Sequence, residues 1–302
     1  MGRLQNRVCV VTGGGRGIGR GIAERFLAEG ARVWICDIST TELADTLAEL
    51  AATGPIEGSV TNVTSRSACQ AMFDQVIDRW GRVDVVVNNA GGGQGAAFLD
   101  IDDALWEQDI TLNLTATFYC TQIAARSMVA RGEGGSIINI GSTNGLRGQA
   151  GLAPYGAAKA GVINLSKSAA LELGEYGIRV NALCPGTILS GGEYDDPANE
   201  TLSHLRKHTA LNRLGKVSDI AAAAVFLASD ESAFMTGHAM VVDGGITARQ
   251  LTMAVTPQFQ AQAGSQFAKR AALRQEIAER GDQSDDSGTD QQHEHNPPES
   301  HR

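Results

Sequence analysis

The chain has 302 residues, 42% hydrophobic and 20% charged, with a formal net charge of -9. That balance fits a soluble globular protein with an ample core, and its overall field repels nucleic acid and anionic membranes. No apolar run reaches the ~20 residues needed to cross a bilayer, and the start of the chain lacks a signal-peptide core, so the expected compartment is cytoplasmic, with no membrane partner.

Short apolar runs alternate with longer helical patterns from the first residues to about residue 245. Strands are expected at 7–12, 31–36, 56–60, 84–88, 135–141, 178–183 and 239–242, and helices at 17–29, 65–80, 103–130, 153–175 and 217–228. Several of the strand runs are almost continuously apolar, as in strands covered on both faces. The β-α-β order predicts an α/β fold: one doubly wound, Rossmann-type domain over residues 1–250, built on a seven-stranded parallel sheet with right-handed crossovers. Residues 251–302 read as a C-terminal extension, with a helical pattern at 258–279 and a disordered acidic tail at 281–302 that has almost nothing to bury.

The first strand runs into Thr12-Gly13-Gly14-Gly15-Arg16-Gly17-Ile18-Gly19, which opens the first helix. Glycine permits the tight turn and close backbone approach that a pyrophosphate requires, and the unpaired N–H groups of a helix start favour the anion. The second strand ends at Asp37. A carboxylate there accepts hydrogen bonds from both adenosine ribose hydroxyls and repels a 2′-phosphate, pointing to NAD over NADP. Arg16 argues the other way, since an arginine near that ribose could pair with a phosphate.

Tyr155 and Lys159 lie four residues apart in a helical segment, so phenol and ammonium share one face. A free phenol has a pKa of about 10. A fixed cation beside it favours the phenolate, which could then exchange a proton with an alcohol oxygen. The five cysteines (Cys9, Cys36, Cys69, Cys120 and Cys184) include no Cys-x-x-Cys pair and read as reduced core thiols. His204 and His208 share a helix face without a third ligand. The tail histidines His293, His295 and His301 lack a shell to hold them, so no metal site is expected.

These marks together resemble the short-chain dehydrogenase/reductase family over roughly residues 5–247. Thr12-Gly13-x-x-x-Gly17-x-Gly19 resembles its cofactor turn. Asn88-Asn89-Ala90-Gly91 closes the fourth strand. Asn113 stands at the family's helix asparagine, and Ser142 precedes Tyr155 by thirteen residues. Pro185-Gly186 and Val242-Asp243-Gly244-Gly245 follow the later strands. The resemblance implies Tyr155 as general acid/base, and Lys159 as holder of the nicotinamide ribose that also lowers the tyrosine pKa. It implies Ser142 as the donor to the substrate oxygen, and Asn113 as a local helix interruption that holds a relay water. Asn89 would contact the adenosine-side ribose, Asn62 and Val63 the adenine, Ile188 the carboxamide end of the dinucleotide, and Ser190 would touch the cofactor. Three departures stand out. Asn62 replaces the family's frequent aspartate, Gly141 precedes Ser142 where a second serine is common, and Ser190 replaces a threonine.

The expected activity is NAD-dependent hydride transfer between nicotinamide and a secondary alcohol or ketone. The expected pocket loops are 92–99, 143–152 and 187–212. They mix polar residues (Gln94, Asn144, Arg147, Gln149) with apolar ones (Phe98, Leu146, Leu152, Leu189), which allows a sugar, a polyol, a cyclic alcohol or a keto ester. Two alternatives stay open. One is an NADPH-dependent 3-oxoacyl-thioester reductase, against which the acidic Glu193, Asp195, Asp196 and Glu200 argue. The other is a non-catalytic NAD-sensing or scaffold protein, against which the complete set Asn113, Ser142, Tyr155 and Lys159 argues. A small-residue surface (Gly156, Ala157, Ala158, Ala160, Gly161) and the resemblance imply a homo-oligomer, dimer or tetramer.

Overall fold

The computed structural model describes residues 2–191 and 200–248. The expected 258–279 helix, the 281–302 tail and three of the four acidic residues at 193–200 lie outside the described residues.

Seven strands form one parallel sheet: β1 (Val8–Thr12), β2 (Arg32–Asp37), β3 (Ile56–Val60), β4 (Val85–Asn88), β5 (Gly135–Ile140), β6 (Ile178–Pro185) and, last in the chain, β9 (Ala239–Val242). Their order is β3-β2-β1-β4-β5-β6-β9. A two-residue pair, β7 (Ile188–Leu189) with β8 (Gly215–Lys216), lies apart from it. The helices are α1 (Gly17–Ala28), α2 (Thr40–Leu50), α3 (Arg66–Trp80), α4 (Asp103–Ile110), α5 (Ala116–Arg131), α6 (Ala153–Leu173), α7 (Glu200–His208) and α8 (Val217–Ala228).

Alternate residues of each central strand feed two cores. Cys9 and Val11 of β1 pack with Ile22 and Phe26 of α1 and Ile220 of α8. Val8 and Val10 face the other way, onto Met72 and Phe73 of α3 and Cys120 and Met128 of α5. Every β1 residue is buried, which explains the unbroken apolar run. Capping fixes the helix ends: Ser39 accepts from Glu42 N at 3.3 Å, Ser65 from Ala68 N at 3.3 Å, and α3 stops at Gly81 with φ 74°.

Strand order reverses between β1 and β4, and the chain departs from these two in opposite directions. This opens a crevice at their carboxyl ends, where ligands of such sheets sit. The single helix read over 103–130 is divided: α4 and α5 are separated by a π-turn over Thr111–Thr115. The buried polar Asn113 within the break is what marks it in the sequence.

Candidate active site

The glycine-rich turn is a cradle that side chains cannot line. Gly13 has φ 62°, and a Cβ there would lie 2.9 Å from Ala90 Cα; at Gly19 a Cβ would lie 2.1 Å from the Gly13 carbonyl oxygen. The turn is tied to β4 across the crevice. Thr12 Oγ1 accepts the N–H groups of Asn89 and Ala90, both at 3.0 Å, and Asn89 Nδ2 donates to the Thr12 and Gly13 carbonyls at 2.9 and 3.0 Å. Asn89 therefore shapes the turn through its amide nitrogen and keeps its side-chain oxygen for other uses. Ile18 is half-buried and packs on the core behind the cradle.

Asp37 closes the far side. One oxygen accepts Gly15 N at 3.0 Å and the other Ser39 N at 3.1 Å; each retains a lone pair. Arg16, the last residue before α1, is largely exposed and faces Glu42 at 3.5 Å, so its charge is already countered. Asn62 turns its oxygen inward on Thr64, accepting the Thr64 N–H at 3.0 Å and its hydroxyl at 2.7 Å. A ligand beside Asn62 would meet the amide donors, whereas an aspartate would offer acceptors. Val63 is buried next to it. Ser190 faces the turn, 3.5 Å from where a Gly17 Cβ would be, and Ile188 is held in β7 against Gly215. The cradle, the helix start and the ribose-side carboxylate fit a dinucleotide.

The second cluster sits on β5, the π-turn and α6. Ser142 follows β5 and acts on the Tyr155 phenol, lowering its pKa, while its Oγ accepts Asn144 N at 3.1 Å. Lys159 is buried one turn beyond Tyr155. Its Nζ donates to the Ile140 carbonyl at 2.8 Å and lies 5.5 Å from the Tyr155 ring centre. Asn113 has its carboxamide clamped on Gly92, accepting from Gly92 N at 3.1 Å and donating to Gly92 O at 2.7 Å, and it donates further to the Asp109 carbonyl at 2.9 Å. Its own carbonyl takes the Thr117 hydroxyl at 2.8 Å. Gly93 lies against Tyr155, with a hypothetical Cβ at 2.8 Å from the tyrosine Cβ. Ser142, Tyr155, Lys159 and Asn113 are thus one constellation.

Electrostatics correct one expectation. The Tyr155 pKa is raised, foremost by burial and further by the charge of Asp109, against the lowering effect of the Ser142 hydrogen bond. Lys159 is not among the groups that move it; its own ammonium is desolvated, with its pKa pushed down to about 8, and one of its N–H groups is held by the Ile140 carbonyl. The glycine before Ser142 has a steric reason: a Cβ at 141 would lie 2.8 Å from the Cys184 sulfur. The small-residue surface on α6 also divides. Ala157 and Ala160 are exposed, but Ala158 is buried and Gly161 is packed against Leu114.

Sequence reasoning missed Asp109. It is 1% exposed, and its Oδ2 has no hydrogen-bond partner. The available signal was its spacing, one turn before Asn113. All five cysteines are free and buried, and the described residues hold no group able to bind a metal. No described helix is long and apolar enough to cross a membrane.

Comparison with known proteins places this geometry among oxidoreductases. A family model described as enoyl-(acyl carrier protein) reductase matches residues 13–247. The chain is 39% identical over 243 residues to the hydroxy(phenyl)methylsuccinyl-CoA dehydrogenase subunit BbsD of Thauera aromatica, covering 80% of this chain and 97% of that one. It is 37% identical over 250 residues to the 3-oxoacyl-(acyl-carrier-protein) reductase FabG of Thermotoga maritima, covering 81% and 99%. A solved structure from Agrobacterium tumefaciens, provisionally named a gluconate dehydrogenase, superposes with a TM-score of 0.78 at 34% identity, covering 82% and 98%.

Proposed function

The chain belongs to the short-chain dehydrogenase/reductase family, whose members are oxidoreductases that use nicotinamide dinucleotides, and from that premise we propose that it interconverts a secondary alcohol and a ketone with NAD. The bound dinucleotide supplies the hydride acceptor or donor. Gly13, Arg16, Gly17, Ile18 and Gly19 form the pyrophosphate cradle, with the start of α1 behind it. Asp37 takes the adenosine ribose hydroxyls on its spare lone pairs. Asn62 and Val63 flank the adenine, Asn89 reaches the ribose with its free oxygen, and Ile188 and Ser190 border the carboxamide end.

Asp37 and the countered Arg16 favour NAD. A 2′-phosphate beside this carboxylate, with the nearest guanidinium already facing Glu42, would be a poorly compensated anion. Ser142 donates to the substrate oxygen. Tyr155 carries the proton, and Lys159 holds the nicotinamide ribose. Asn113 keeps the Gly92 segment over the site, and the interruption of its helix holds a water that relays protons. The phenolate forms only when extra positive charge reaches Tyr155, since in the free protein burial favours the phenol.

One observation carries this reading: the Tyr155 phenol is flanked by Ser142 and by a buried lysine whose Nζ lies 5.5 Å from its ring centre. It is tested by Tyr155→Phe, which is expected to lower turnover by ~10³-fold or more while leaving NAD affinity within about threefold. Turnover above a tenth of the parent's would exclude Tyr155 as the proton carrier.

A second reading, NADPH-linked reduction of a 3-oxoacyl thioester, draws support from the Thermotoga relative. Initial rates with each dinucleotide separate the two. Ala157 and Ala160 on the exposed side of α6 support self-assembly into a dimer or tetramer, which light scattering would measure.

A further inference from the structure

A second cavity lies away from the crevice. It has a volume of about 580 Å³ and sits between α3 and α5, beside the turn at Gly81 and Arg82. That turn leads into the amino end of β4, whereas the crevice opens at the carboxyl ends of the strands. Each helix contributes a stripe at helical spacing: Gln70, Phe73 and Ile77 from α3, and Ile123, Ser127 and Ala130 from α5. Phe73 and Ile123 are buried and Ile77 is partly buried, which makes the floor apolar. Volume and lining match a pocket for a small organic ligand.

The rim is cationic. Arg82, Arg126 and Arg131 all line the cavity. Arg82 lies 2.6 Å from Asp84 and 3.0 Å from Glu133, and Arg131 lies 3.1 and 3.3 Å from the same two carboxylates. Asp84 is buried and also accepts Val8 N, so its charge is spent inward. Asp74, on the α3 side, accepts the Gln70 side-chain amide at 2.9 Å and forms no ion pair. Arg126 is exposed and makes no ion pair or side-chain hydrogen bond among the described residues, and the neighbouring Ser127 hydroxyl has no protein partner either. Three guanidiniums thus share two carboxylates, a local surplus of positive charge on a chain whose net charge is -9.

We propose that this cavity binds a medium-chain carboxylate, its head group on Arg126 and Ser127 and its chain on the floor of Phe73, Ile77 and Ile123. The head must accept hydrogen bonds, because a guanidinium and a hydroxyl are the uncommitted polar groups at the rim. A planar guanidinium takes a carboxylate through two parallel N–H bonds. The surplus of one charge matches a monoanion, whereas a phosphate monoester carries about −1.5 to −2 and would exceed it. The body must be apolar, because the floor offers it no polar partner. The site uses neither the dinucleotide cradle nor Ser142, Tyr155 and Lys159, so it stands independently of the dehydrogenase reading.

The test is calorimetric titration of the full chain with octanoate, octanol and acetate. Octanoate is expected to occupy one site per chain with a Kd of about 0.1–1 mM, the range for a ligand of roughly ten non-hydrogen atoms. Octanol keeps the chain and acetate keeps the head; each should bind about tenfold more weakly or worse. Two variants locate the site. Arg126→Ala removes the uncommitted cation, and Ala130→Trp fills the cavity; both positions are exposed and lie outside the catalytic groups. Each should weaken octanoate binding by about tenfold or more. No uptake of octanoate by the parent at ~10 mM would overturn the proposal. So would a Kd within about threefold of the parent's in either variant, which would put the anion elsewhere. Acetate binding as tightly as octanoate would mean an adventitious ion only, and would overturn it too. The urea midpoint of each variant checks its fold, and should one variant fail that check the other decides.

Discussion

Replacing Lys159 by methionine should abolish turnover and yet make the dinucleotide-free protein more stable at neutral pH. The ammonium is buried and its pKa is pushed from 10.5 to about 8 by desolvation, so the folded state disfavours the charged form. At pH 7 the lysine is protonated in both states, and a downward shift of roughly 2.5 units costs folding about 3 kcal/mol. Methionine fills a similar volume without that cost. It leaves the Ile140 carbonyl without its donor, which returns roughly 1 kcal/mol. The net expectation is a gain of about 2 kcal/mol at pH 7.

The sign of the pH dependence follows from the depressed cation. Between pH 8 and 10.5 the unfolded chain holds a proton that the folded chain has released, so the parent gains stability as pH rises through that window. The net gain from the substitution should therefore shrink from about 2 kcal/mol at pH 7 to about 1 kcal/mol at pH 9. Urea unfolding of parent and variant without dinucleotide, at one protein concentration and both pH values, measures this. A variant less stable than the parent at pH 7, or a stability difference that does not change with pH, would refute the claim that this cation is under-compensated.

Three further predictions accompany it. Tyr155→Phe should remove turnover and spare NAD binding, read by single-turnover absorbance and dinucleotide titration. Asp37→Ser should lower the NAD-to-NADP ratio of kcat/KM by about tenfold or more, because it removes both the ribose acceptor and the repulsion of a 2′-phosphate; an unchanged ratio would move dinucleotide choice away from Asp37. Asp84 is fully buried, paired with Arg82 at 2.6 Å and Arg131 at 3.1 Å, and accepts Val8 N at 2.9 Å. Asp84→Ala should destabilise by about 2–3 kcal/mol in urea unfolding, since it leaves the buried first N–H of β1 without an acceptor and removes the carboxylate shared by two arginines that keep only Glu133 as a counter-charge.

Much of the fold was legible because the central strands β1, β4, β5 and β6 are buried on both faces. β1 and β4 read as plain valine-rich runs whose length and neighbours admit one interpretation. The pattern failed where two packing tasks overlap on one chain segment. Residues 103–130 keep a helical apolar rhythm through the π-turn, so the interruption showed only in Asn113 and in the family resemblance. The two-residue strands β7 and β8 are too short to leave a period.

At the site, residue types located the constellation, but direction was not encoded. Nothing in a one-turn spacing says that the Lys159 proton points at Ile140, that the Asn62 oxygen folds onto Thr64, or that Asn89 braces the turn from behind. Asp109 was invisible for the same reason. A polar residue on a helix usually meets solvent, and only the fold of the 92–94 segment over it reverses that.

Gly141 and Cys184 share a single volume between two adjacent strands. The sulfur occupies the space that a side chain at position 141 would fill. A side chain at 141 therefore has to move that sulfur out of its present rotamer, and the rearrangement would fall directly beside Ser142.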